Sequence, residues 1–235
     1  MDNRRLPKDA AKLFVDDRFP GSDAALLAGS VIRGEATETS DLDIVVFDQK
    51  IADPYRESLL IYGWPIEVFV YNFDNYRGFF ERDVKRARPS LPRMLAEGLP
   101  IKDHGRLRKI QKEAAAILSN GPGEWSEKEI RIKQYFISDI LDDFIGSSYR
   151  TEELFIASSL INLLHEFVLR SNKCWIGSSK WMYREMEKFD KELADSFAKA
   201  FDCFYKNGDK SQVIAITDLI LQPFGGRLFD GFSLK

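Results

Sequence analysis

The stretch that most constrains this chain is Leu26 to Phe47, LLAGSVIRGEATETSDLDIVVF. Two short apolar runs of strand character, Ala24 to Ala28 and Leu42 to Phe47, flank a polar, irregular segment. Strands this short persist only inside a sheet, so the stretch demands neighbouring strands and a core on at least one face. The polar segment opens with Gly29-Ser30 and contains Gly34. A Gly-Ser pair leaving a strand allows close backbone approach, presents N–H groups at the following turn and adds a hydroxyl. At the other end, Ser40-Asp41-Leu42-Asp43 leads into the second run. Strand alternation sends Asp41 and Asp43 to one face and Leu42 to the other. Two carboxylates side by side repel each other and cost stability unless a cation neutralises them.

A third carboxylate stands in the run Pro65-Ile66-Glu67-Val68-Phe69-Val70, where Glu67 is the only charge. Strand propensity alone favours Thr or Val there, so Glu67 is a candidate to join the aspartates if the two strands are neighbours. Oxygen-only donors point to Mg²⁺ or Mn²⁺ rather than zinc. Three carboxylates can hold one or two such ions, which bridge triphosphate oxygens and activate a hydroxyl. The only histidines are His104 and His165, and the only cysteines, Cys174 and Cys203, form no CxxC pair. This excludes a cysteine-histidine zinc site and leaves the cysteines as packing residues. His165, inside the apolar run Leu160 to Leu169, reads as a core histidine.

Gly29-Ser30, Arg33-Gly34, Ser40-Asp41-Leu42-Asp43 and Glu67 together resemble the signature of the DNA polymerase beta-like nucleotidyltransferase superfamily. The small members that modify aminoglycoside antibiotics, with a C-terminal helical domain, are the most similar in layout. The resemblance implies transfer of a nucleoside monophosphate, AMP from ATP in the usual case, to a hydroxyl of a small-molecule acceptor such as an aminoglycoside, with release of pyrophosphate. It implies that Asp41, Asp43 and Glu67 are catalytic and bind Mg²⁺ or Mn²⁺, with Glu67 either a third ligand or the base. Gly29, Ser30, Arg33 and Ser40 would bind the nucleotide, Arg33 by orienting the loop or neutralising charge. Lys180, a cation at a helix start where the dipole opposes it, joins them as a triphosphate contact.

The rest of the chain supports a two-part plan. At 235 residues, against roughly 100–200 per domain, one generous or two small domains fit. The expected class is α+β: a nucleotidyltransferase domain with a small mixed sheet over residues 1–104, then a helical bundle that binds substrate over 105–235. A first helix spans Lys8 to Arg18 and stops before Pro20-Gly21; further strands are expected at Leu59 to Tyr62 and Ile66 to Tyr71. Beyond residue 105, apolar recurrence predicts helices over 106–118, 127–145, 152–171, 180–205 and 211–222. Trp175 and Trp181 read as packing residues, and Asp139, Asp142, Asp143, Glu152 and Glu153 form an acidic cluster, either solvated helix faces and caps or carboxylates that a cationic acceptor would use. The tail PFGGRLFDGF could dock on the helical domain or on a second copy in a homodimer.

Hydrophobic residues at 44% exclude disorder, and a net charge of −3 provides no cationic field for nucleic acid. No run of about 18 apolar residues is present, and the charged N-terminus MDNRRLPKDAAKLF lacks a signal peptide's apolar stretch. The expectation is therefore a cytoplasmic protein without a membrane partner. The alternative function is a nucleotide-binding regulatory protein, like the minimal nucleotidyltransferases that act as antitoxins. Neither His104 nor His165 has an arginine at the spacing their helical toxin partners show, which disfavours a fused toxin.

Overall fold

The structure is a computed structural model and describes residues 4–234. It divides into two compact units between Asn120 and Gly121. The first contains α1 (Pro7–Arg18), β1 (Ala24–Ala28), β2 (Leu42–Phe47), β3 (Tyr55–Ile61), β4 (Trp64–Tyr71), α2 (Tyr76–Lys85), α3 (Ser90–Glu97), β5 (Leu99–Asp103) and α4 (Leu107–Asn120). Pro7 suits the first turn of α1, where its missing N–H costs nothing, and the helix buries Ala10, Ala11, Phe14 and Val15.

The strands form one mixed sheet in the order β3-β4-β2-β1-β5. β2 and β4 run parallel, and the other pairs are antiparallel. The β3–β4 hairpin turns through Tyr62 and Gly63 at φ 55° and 78°, the two left-handed residues that match the twist of tightly connected strands. One face packs Leu27, Leu42, Ile44, Val46 and Val68 against α1. The other packs Leu26, Val45, Phe47 and Tyr71 with Tyr76 and Phe80 of α2, Leu91 and Leu95 of α3, and Leu107 and Ile110 of α4. Burial on both faces is why β1 and β2 are continuous apolar runs without alternation.

Three expectations are corrected here. The division falls after Asn120 and not after His104, because α4 buries Leu107, Ile110 and Ala114 in the core of the first unit. β5 was not expected: Pro100 and Lys102 hide its strand character, yet it pairs with β1 across a bulge between Ala25 and Leu26. β3 begins at Tyr55, earlier than Leu59, with Tyr55 and Arg56 exposed on the edge strand.

The second unit is helical: α5 (Glu127–Gly146), α6 (Arg150–Ser171), α7 (Lys180–Phe189), α8 (Lys191–Asn207) and α9 (Ser211–Leu221). A capping box between Ser126 and Glu129 starts α5. The expected single helix over 180–205 is two, because Asp190 is extended (φ −154°, ψ 107°) and its carboxylate accepts from Leu193 N at 3.0 Å to cap α8. By length and composition α6 is apolar enough to cross a membrane. Within this unit it buries Leu160, Leu164, Phe167 and Leu169, and its Glu166 pairs with Lys133 of α5 at 2.7 Å. His165 is indeed a core residue: Nε2 accepts from Gly177 N at 3.3 Å. The tail docks on its own unit, with Phe232 stacked on Tyr135 at 3.9 Å and Phe224 edge-on to Phe167 at 4.8 Å. Gln134 Nε2 donates to the carbonyls of Phe224 and Gly226 at 3.0 and 2.6 Å.

Candidate active site

The parallel pairing of β2 with β4 sets Asp43 directly opposite Glu67. A slip of one residue would send Glu67 to the α1 face, so burial of Ile66 and Val68 on that face holds the carboxylate in place. Asp41 lies just before β2, two residues from Asp43. One oxygen from each of Asp41, Asp43 and Glu67 lies within 4.8 Å of the others.

Gly29, at the end of β1, is what admits this cluster. Its φ is 82°, and a Cβ there would overlap Asp43 Oδ2. Asp43 thus rests half-buried against bare backbone, and its pKa is raised from 3.8 to about 6. Burial is the largest cause, followed by the charges of Asp41 and Glu67, with Arg33 and Arg56 opposing. Three carboxylates converging around a half-buried Asp43 are what a divalent cation would stabilise, and their all-oxygen donors suit Mg²⁺ or Mn²⁺. The donor set therefore fits the ion expected from sequence.

The polar segment between β1 and β2 is strapped at its base. Ser30 Oγ donates to Ser40 Oγ at 3.2 Å, and Ser40 Oγ accepts from Thr37 N at 2.8 Å. Ser30 follows Gly29 and Ser40 precedes Asp41, so this hydroxyl pair borders the carboxylates along the chain. Arg33 bonds Glu35 and, on α3, Glu97, each at 3.1 Å. These contacts make Arg33 a tie between the loop and α3.

Lys180 and the acidic cluster, also singled out from sequence, belong to the second unit. Lys180 stands exposed as the first residue of α7, in the second unit. In the acidic cluster, Glu153 is buried and pairs with Lys210 at 2.8 Å, a structural role. Asp142, Asp143 and Glu152 line an open groove of about 680 Å³ in that unit, with Tyr149 and Phe155.

Sequence reasoning missed Arg56. It sits on β3 opposite Phe69, forms an ion pair with Glu67, and lies 5.1 Å over the Phe69 ring. The signal was a lone cation near an edge strand, which reads as ordinary solubility chemistry.

The profile of the nucleotidyltransferase domain family matches residues 9–89, the segment that contains Gly29, Asp41, Asp43 and Glu67. No curated protein matches the chain. Among solved structures, the chain is similar to a nucleotidyltransferase-like protein from Exiguobacterium sibiricum 255-15, at 9% identity and a TM-score of 0.45, over 92% of this chain and 74% of that one.

Proposed function

We propose, from the premise that residues 9–89 are a nucleotidyltransferase domain, that this protein transfers a nucleoside monophosphate from a nucleoside triphosphate, ATP first among them, to a hydroxyl of a small molecule. The observation that carries the reading is the convergence of Asp41, Asp43 and Glu67 beside a glycine that no other residue can replace without collision. A divalent cation held by Asp41 and Asp43 would neutralise triphosphate charge and polarise the reacting phosphate, leaving Glu67 for the acceptor's proton.

The remaining work falls to the chain. Ser30 and Ser40 offer hydroxyls, and the turn after Gly29 offers N–H groups, to phosphate oxygens. Arg33 holds this loop to α3 through Glu97. Glu67 accepts the acceptor's O–H proton as that oxygen bonds to the α-phosphorus; the bond to the bridging oxygen breaks with its electron pair, and pyrophosphate leaves. Catalysis of this kind is mainly positioning and electrostatic stabilisation.

The aminoglycoside-like acceptor is supported by the acidic groove of the second unit. Arg56, the cation paired with Glu67, argues the other way. The test is thermal stability with ATP, GTP, CTP and UTP, each with Mg²⁺ or EDTA, combined with an assay for pyrophosphate release. A nucleotide at about 100 times its dissociation constant adds about 2.7 kcal/mol, which shows as a clear shift. The expected result is an Mg²⁺-dependent shift with ATP that Asp41→Asn/Asp43→Asn abolishes. No shift with any nucleotide and no pyrophosphate release would favour the regulatory alternative.

A further inference from the structure

The sheet face that carries Asp43 and Glu67 continues along β4 to Phe69 and Tyr71, because side chains two apart share a face. Beyond Glu67, β3 and α2 enclose a cavity of about 430 Å³ on this face. Its walls are the rings of Phe69, Tyr71 and Phe79, and its cations are Arg56, Arg82 and Arg86. The single carboxylate among its lining residues, Asp83, is buried and already engaged. It accepts from Leu91 N at 2.8 Å and from Arg86 at 2.5 Å. Arg82 stacks 3.9 Å over Phe79 and, among the described residues, has no carboxylate within ion-pair distance.

Three guanidinium groups around one space repel one another; Asp83 offsets Arg86 and Glu67 pairs with Arg56, which leaves the charge of Arg82 without an acidic partner among the described residues. An oxyanion would balance the rest, and the planar guanidinium fork fits carboxylate and phosphate geometry. The flat rings alongside suit an aromatic or other planar body. Arg56 belongs to both places, lining the cavity and pairing with Glu67.

We propose that this cavity is the acceptor subsite and that it takes a small, ring-bearing oxyanion, a carboxylate or phosphate ester, whose hydroxyl then faces Glu67. The assignment rests on the nucleotidyl-transfer reading above. It has a built-in consequence: an anion bound at Arg56 competes with Glu67 for that guanidinium and frees the Glu67 carboxylate for the acceptor's proton. Acceptor binding thereby prepares the catalytic group. A polycationic acceptor is excluded from this subsite by the same charges.

The test is calorimetric titration of the full chain with phenylphosphonate, benzoate and benzylamine. Phenylphosphonate or benzoate should saturate one site, and benzylamine should not bind. Arg82→Ala, an exposed position on α2, should weaken the anion about tenfold, the cost of one charge-assisted contact, with the circular dichroism spectrum unchanged. Asp41→Asn/Asp43→Asn should retain anion binding within about twofold, and saturating Mg-ATP should not displace the anion. Absence of saturable binding by either anion, indifference to Arg82→Ala, or competitive displacement by Mg-ATP would each overturn the proposal. Failure of the transfer reading is separately visible, as a wild-type protein that gives no heat with Mg-ATP and releases no pyrophosphate.

Discussion

The two ends of one sheet face carry opposite charge. At one end, Asp41, Asp43 and Glu67 crowd three carboxylates together. At the other, Arg56, Arg82 and Arg86 surround a cavity in which Asp83 is the one carboxylate among the described lining residues. Along β4 the change happens between Glu67 and Phe69, about 7 Å at the rise of a strand, within reach of one arginine side chain. Arg56 spans that distance, pairing with Glu67 while lying over Phe69. The contrast teaches that each end concentrates charge that a ligand of opposite sign would offset: a divalent cation at one, the proposed oxyanion at the other.

The largest effect tests the acidic end. Asp41→Asn/Asp43→Asn should lower pyrophosphate release with Mg-ATP by about a thousandfold or more, because charge stabilisation carries most of such chemistry. Retained activity would show that the two ends do not divide the work as described.

Next in size is a pH effect on the metal-free protein. Asp43 holds its proton more tightly folded than unfolded, with a pKa of about 6 against 3.8. Its contribution is therefore fully present below about pH 4 and lost as pH rises through 6, a change of about 3 kcal/mol. Urea unfolding in EDTA should show wild type losing this much against Asp43→Asn between pH 4 and pH 7. A constant difference between the two across that range would remove the strain assigned to the cluster. Below pH 6, Mg²⁺ affinity should also fall as protons compete for Asp43.

Gly29→Ala comes third. It forces a side chain into a φ of 82° and against Asp43, at an expected cost of about 2 kcal/mol in urea unfolding. At the basic end, Asp83→Ala should cost about 2 kcal/mol or slightly less, by orphaning the buried Leu91 N–H. Arg86→Ala, removing the exposed partner of the same pair, should cost under about 1 kcal/mol. If Arg86→Ala proved the more costly, Arg86 would be a structural brace and the cavity would lose one of its ligand-binding cations.

The two ends also differed in legibility. The acidic end could be read because its residues lie at fixed spacing in a local pattern, with Gly29-Ser30 and Ser40 to Asp43 bracketing one loop, and Glu67 as a charge in an apolar strand. The basic end could not. Arg56 belongs to an edge strand predicted to start later, and Arg82 on α2 and Arg86 just after it have no motif to join them to β3. Arg86 lines the cavity with Pro54, Tyr55 and Arg56, some 30 positions earlier in the chain, a distance over which no local pattern reads. β5 and the extent of the first unit were missed for the same reason. Polar and proline residues obscured a short strand, and α4 has an apolar stripe that could pack on either unit.

Local periodicity and spacing alone determined the first helix, the apolar strands β1 and β2, the mostly helical second half and the candidate metal ligands. These are properties of adjacent residues, written directly in the order of side chains. Only the tertiary structure decided that β4 lies parallel beside β2 in the register that joins Glu67 to Asp43, that α4 closes the first unit, and that three arginines from two elements meet around one space. Those outcomes depend on which distant surfaces bury each other, a choice among many pairings that sum to similar local preferences and differ only in the packed whole.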